Sequence, residues 1–190
     1  MLGLKIAIVG THGSGKTTLL YDTASTLKKN GYSVSIAREV ARFSSFLNAG
    51  EKNIHAQMDL FGLQITEEMS NARNHDILLC DRSILDILVY SKVLYPNLTK
   101  KESLLLSSME STVPHYMQTY DIIFRTIKMY NPTMTRDNLR PKEQFLQEDV
   151  HHRIKQSLDE LEIDYVDLPS NNEVDFMNSH IVELLSQIKS

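Results

Sequence analysis

Five apolar runs recur along the chain at residues 4–9, 32–37, 76–81, 120–126 and 164–168, and every gap between them carries a helix-like pattern. The first run is rich in Ile and Val with little alternation, as a strand buried on both faces would be. Such strand–helix alternation predicts an α/β layer architecture with a parallel central sheet. Residues 17–30 read as a helix that stops at Gly31, a residue suited to a left-handed C-terminal cap. Between the second and third runs, Met58, Phe61, Ile65, Met69 and Ala72 fall at steps of three or four and give one apolar helical face, with the methionines as core filler. Residues 83–95 read as a helix ended by Pro96, and 99–113 as another that ends before Pro114. Pro141 suits the first turn of a helix running to about Glu162. Residues 127–140 lack periodicity, and a loop of that length inside a compact domain reads as a lid.

Composition narrows the class. A chain of 190 residues with 42% hydrophobic content is one domain, residues 1–190, with a core that needs no staples. Its one cysteine, Cys80, excludes an internal disulfide framework, suits a reducing compartment and falls in an apolar run where a buried hydrophobe is expected. No leader pattern and no run near the ~18 apolar residues of a membrane span occurs, so the expectation is a cytoplasmic protein without a membrane partner. The net charge of −4 disfavours nucleic acid as partner, because that affinity scales with phosphates neutralised by Lys and Arg. His151 and His152 are neighbours but point apart on a helix, and no metal-ligand spacing emerges.

Chemistry concentrates first in the octapeptide Gly10-Thr11-His12-Gly13-Ser14-Gly15-Lys16-Thr17, which fits the phosphate-binding pattern GxxxxGK[ST] and is followed by Thr18. Strand, glycine turn and helix N-terminus aim backbone N–H groups and the positive end of a helix dipole at one small volume. Lys16 would neutralise β- and γ-phosphate charge, and the Thr17 hydroxyl would bind Mg²⁺.

In open parallel sheets, ligands bind beyond the carboxyl ends of the strands. The third run ends in Asp81, placed to share Mg²⁺ with Thr17 or, alternatively, to cap the next helix. Arg82 follows, as a phosphate or acceptor contact or as the partner of Asp86. The second run ends in Arg38-Glu39, with Arg42 three residues on. Glu39 would accept the proton of an attacking hydroxyl or orient it; otherwise it is an ion-pair partner of Arg42. Arg136 and Arg140 in the lid, with Arg125 and Lys128 before them in the chain, suit closure over a transferring phosphoryl group. The Gln64 amide is a candidate reader of a nucleobase edge, set against an ordinary exposed helical glutamine.

The glycine loop, Arg38-Glu39, Asp81-Arg82-Ser83 and Asp137-Asn138-Leu139-Arg140 together resemble the P-loop kinases of nucleosides and nucleotides. The likeness is strongest to the family containing the ribosylnicotinamide kinase domain, with thymidylate kinase and the deoxynucleoside kinases as relatives. It implies a three-layer P-loop fold, a five-stranded parallel sheet flanked by helices, with ATP and Mg²⁺ as cofactors and a small nucleoside or nucleotide acceptor. It also implies Glu39 as base towards a sugar hydroxyl, Asp81-Arg82-Ser83 as acceptor segment and Gln64 as base holder. Val40-Ala41 stands where thymidylate kinases carry Pro-Gly.

The resulting expectation is transfer of the ATP γ-phosphoryl group to a nucleoside or nucleoside monophosphate. Lys16, Glu39, Asp81 and Arg82 would be catalytic, and residues 10–18 would hold the donor. Arg38, Glu39, Arg42, Gln64, Arg82, Arg136 and Arg140 would hold the acceptor, and Thr17 and Asp81 the metal. Alternatives keep the fold and change the acceptor to ribosylnicotinamide or a polynucleotide hydroxyl, or discard the acceptor for an ATPase or switch. Oligomeric state, including a homodimer, stays open.

Overall fold

All five expected strands form, at β1 Leu4–Val9, β2 Val34–Ala37, β3 Ile77–Asp81, β4 Ile122–Arg125 and β5 Val166–Asp167. The computed structural model describes residues 3–128 and 144–188. The helices are α1 Lys16–Lys29, α2 Ser45–Asn48, α3 Ile54–Asn71, α4 Ile84–Leu94, α5 Lys100–Met117, α6 Gln144–Glu160 and α7 Glu173–Ile188, and a 3₁₀ turn spans Val40–Arg42. The sheet is parallel throughout, in the order β2-β3-β1-β4-β5.

β1 explains the layering. Ile6 and Ile8 point to one face, where they join Leu20 and Leu27 of α1 and Ile181 of α7. Ala7 and Val9 point to the other, among Phe61, Leu85, Val113 and Ile154 of α3 to α6. Because both faces are covered, the strand is apolar at every core position, and each fully buried Ile or Leu contributes roughly 1.5–3 kcal/mol. The three layers fix the carboxyl ends of β1, β3 and β4 side by side. Ile8 is in register with Asp81 and Val9 with Arg125. The chain just beyond is tied across, with Arg82 N–H donating to Ile8 O at 3.2 Å and Thr126 N–H to Val9 O at 3.0 Å.

Three expectations are corrected. α5 continues through Pro114 to Met117, because Met109, Val113 and Met117 form one buried stripe whose packing outweighs the lost backbone bond. The inward face of α3 holds Gln57, Gln64 and Glu68 beside Leu60 and Phe61, while Met69 is 55% exposed. Polar residues there have partners to bond, so periodicity of apolar residues alone misplaced the face. The turn after Glu39 spans three residues of 3₁₀ helix, too short for a helical face shared by Glu39 and Arg42. Cys80 is buried, as expected. No described helix is long and apolar enough to cross a membrane.

Candidate functional site

The glycine loop leaves β1 in a conformation that side chains would block. Gly10 has φ 145°, and a Cβ there would lie 2.2 Å from Thr126 Cγ2. Gly15, at the N-cap of α1, has φ 85° and opens the loop towards the helix N-terminus. Lys16 folds back over this loop, its ammonium donating to Thr11 O and lying 3.1 Å from Ser14 Oγ. Both partners are neutral and the side chain is buried. Burial first, and then the charge of Arg82, push its pKa down to about 7 against the pull of Asp81, Asp86 and Glu39. A buried ammonium bonded only to neutral oxygens at a helix N-terminus is a site prepared for an anion.

Thr17 Oγ1 donates to Asp81 Oδ2 at 2.6 Å. Two hard oxygens at the loop's mouth fit the ligand preference of Mg²⁺. Burial and the neighbouring Glu39 charge raise the Asp81 carboxyl above its usual range, and the bond from Thr17 opposes the shift. Asp81 does not cap α4. Ser83 does, in a capping box with Asp86.

Asp86 also explains why Arg82 does not take it as partner. Its Oδ2 accepts from Ser83 N–H and Ser83 Oγ, each at 2.9 Å, and its Oδ1 accepts from Gly10 N–H at 3.0 Å. One buried carboxylate thus joins the start of α4 to the start of the glycine loop. The Ser83-x-x-Asp86 spacing is a capping-box signal that could have revealed it in the sequence.

Arg82 turns instead towards Glu39, donating from Nε to Oε1 at 2.8 Å. Its backbone φ of 83° is unusual for a residue with a side chain and costs of order 1–3 kcal/mol. That backbone turn aims the guanidinium back across the strand ends. Burial works against its charge, but Glu39 foremost, then Tyr90, Asp86 and Asp81, hold its pKa above the ordinary arginine value.

Beside the loop lies a cavity of about 470 Å³, lined among others by His12, Glu39, Arg42, Gln64, Arg82 and Tyr90. His12 links the two regions. Tyr90 Oη accepts from His12 N–H at 3.0 Å and lies 2.8 Å from His12 Nδ1, while His12 Nε2 lies 2.8 Å from Gln147 Nε2 on α6. His12 thereby ties the glycine loop to α4 through Tyr90 and to α6 through Gln147. Tyr90 carried no signal in the sequence beyond its place one turn after Asp86.

The structure therefore brings Lys16, Thr17, Asp81, Arg82 and Glu39 to one crevice, with His12, Arg42 and Gln64 on its cavity side. Arg38 departs from the expectation. It lies 3.5 Å from Glu67 Oε1 and stacks 4.9 Å from the Phe43 ring, away from the cavity lining. Gln64, read either as a base reader or as an ordinary exposed helical glutamine, is fully buried. Arg125 forms a bidentate pair with Asp167 at 2.7 Å and staples β4 to β5, and Lys128 pairs with Glu173. Arg136, Arg140 and all of the expected lid from residue 129 onward lie outside the described residues. Thr18 follows Thr17 in the first turn of α1. Among the described residues no cluster of His, Cys, Asp and Glu forms a metal site by itself.

A family model described as an AAA domain matches residues 5–175. No curated protein sequence matches the chain. Solved structures share the fold. A NadR protein in complex with NAD and AMP-PNP superposes with a TM-score of 0.66 at 16% identity, covering 97% of this chain and 50% of that one. A NadR protein in complex with NR gives 0.64 at 16%, covering 96% and 50%. The chain spans half the length of those NadR chains. The five-stranded P-loop fold that the sequence resemblance implies is the fold found.

Proposed function

The chain belongs to this AAA domain family of P-loop proteins, and from that premise we propose that it transfers the γ-phosphoryl group of ATP to a hydroxyl of a nucleoside or nucleoside monophosphate. The observation that carries the reading is the cavity of about 470 Å³ opening beside the glycine loop, with Glu39 and Arg82 at the boundary between them. A switch or ATPase needs only the loop and a placed water; a second, mostly apolar chamber is what a second substrate needs. The NAD, AMP-PNP and NR complexes of the NadR fold neighbours support small nucleotide and nucleoside ligands for this fold.

In this reading Lys16 leaves Thr11 O for the β- and γ-phosphate oxygens. Thr17 and Asp81 would hold Mg²⁺, which offsets phosphate charge when bound. The cavity holds the acceptor with its hydroxyl facing Glu39. The Glu39 carboxylate takes the hydroxyl proton as the new O–P bond forms and the bond from phosphorus to the β-phosphate bridging oxygen breaks, releasing ADP. Arg82, held beside the loop, offsets charge on the equatorial oxygens.

The test is an acceptor panel with γ-labelled ATP and Mg²⁺, covering nucleosides, monophosphates, ribosylnicotinamide and an oligonucleotide. Label on a nucleoside or monophosphate is the expected outcome. Label found only as free phosphate under every condition overturns the reading in favour of an ATPase.

A further inference from the structure

Gln57, Leu60 and Gln64 share one face of α3, and all three line the cavity. An amide offers two donors and one carbonyl oxygen. In Gln64 the donors are spent inside the protein. Nε2 lies 2.8 Å from Glu68 Oε1 and 3.4 Å from Arg82 O. The carbonyl oxygen is buried and meets no donor among the described residues. Turning the amide over would not relieve it, because the carbonyl would then face the Glu68 carboxylate.

Glu68 is itself held firmly. Tyr120 O–H donates to Oε1 at 2.8 Å, Tyr116 O–H donates to Oε2 at 2.9 Å, and Lys5 Nζ lies 2.8 Å from Oε2. The Lys5 ammonium sits 4.0 and 4.1 Å from the centroids of the same two tyrosine rings. Every partner of Glu68 among the described residues is a donor, so Glu68 presents only an acceptor to Gln64. A buried carbonyl with its donors already committed is costly to leave unpaired, and a ligand N–H would satisfy it.

We infer that Glu68 is a positioning residue that sets the polarity of the cavity. It holds Gln64 with the carbonyl oxygen as the one group left to a ligand, so the cavity selects molecules that present an amino or carboxamide N–H there. Molecules that present only lone pairs at that point are rejected. The inference rests on the cavity being the acceptor site.

Binding measured by calorimetry without ATP tests it on matched pairs: adenosine against purine riboside, which lacks the amino group, and ribosylnicotinamide against its carboxylic acid counterpart. The donor-bearing member of at least one pair binds about tenfold tighter or more in the wild-type protein. Gln64→Met brings that ratio close to one. Glu68→Gln, whose amide can donate to the Gln64 carbonyl and let the Gln64 amide turn, narrows or inverts it. A merely structural role for Glu68 would weaken both members alike. Equal binding of both members by the wild type, an unchanged ratio in Gln64→Met, or no binding by either donor-bearing molecule overturns the inference, even should Glu68→Gln fail to fold. Transfer from labelled ATP is followed in parallel. Selective binding without transfer defeats the kinase reading alone, whereas transfer at equal kcat/KM to both members of each pair defeats the inference alone.

Discussion

At the scale of single residues, the proposed function divides the crevice into donor and acceptor duties, and substitution should separate them. Glu39→Gln keeps its size and its contact with Arg82, so ATP binding should persist while transfer falls by about 10²–10⁴-fold, the usual worth of a positioned base. Normal turnover in that variant would remove Glu39 from the reaction. Lys16→Ala should instead lose ATP affinity and turnover together, read by nucleotide titration and by the labelled-phosphate assay. The residues in these two predictions were legible because their spacing has a mechanical meaning: a glycine turn between strand and helix, and carboxylates at strand ends. Gln64 was legible in type but not in setting. A glutamine on a helix carries no mark of burial, and only the fold reveals that it donates to Glu68, which Tyr116 and Tyr120 in turn hold. Arg38 failed the other way: it stands beside Glu39 in the chain, yet successive residues of an extended segment point to opposite sides.

Among the elements, α4 and α5 show what local pattern can and cannot give. The start of α4 is set by Ser83 and Asp86, and because Asp86 also accepts from Gly10 N–H, the cap and the phosphate loop stand or fall together. Asp86→Ala should lower stability by about 2–4 kcal/mol in urea unfolding, through a lost cap and orphaned buried donors, and should raise the KM for ATP. A variant with wild-type KM would uncouple the two. The end of α5 was misread, since proline usually stops a helix. Met109, Val113 and Met117 keep that helix going by tertiary burial, an influence that no local window contains. It follows that Pro114 is tolerated rather than required. Pro114→Ala, which restores a donor towards the Glu110 carbonyl, should stabilise the protein by up to about 3 kcal/mol in the same unfolding experiment. A loss of stability would mean that the ring itself packs usefully.

For the molecule as a whole, the alternation of strand-like and helix-like runs predicted the parallel α/β class but not the strand order. Periodicity records how each strand is buried, not which neighbour it pairs with. That order places β3 between β2 and β1, with Cys80 in register with both Ala37 and Ala7, in the middle of the fold. Burial first, and then the charge of Glu68, push the Cys80 thiol well above its usual range, with Lys5 opposing. Alkylation needs both access and a thiolate, so in the native state Cys80 should be inert and should react only when the sheet opens. Its labelling rate then reports global unfolding, and any ligand that binds only the folded state must slow it. If ATP with Mg²⁺ occupies the glycine loop, labelling under conditions where reclosing outpaces reaction should slow about 100-fold at a ligand concentration 100 times its Kd. Lys16→Ala should lose most of that protection while keeping slow labelling in the absence of ligand. Rapid native labelling would contradict the position of Cys80 in the sheet. Slow labelling that ATP leaves unchanged would deny nucleotide binding without disturbing the fold.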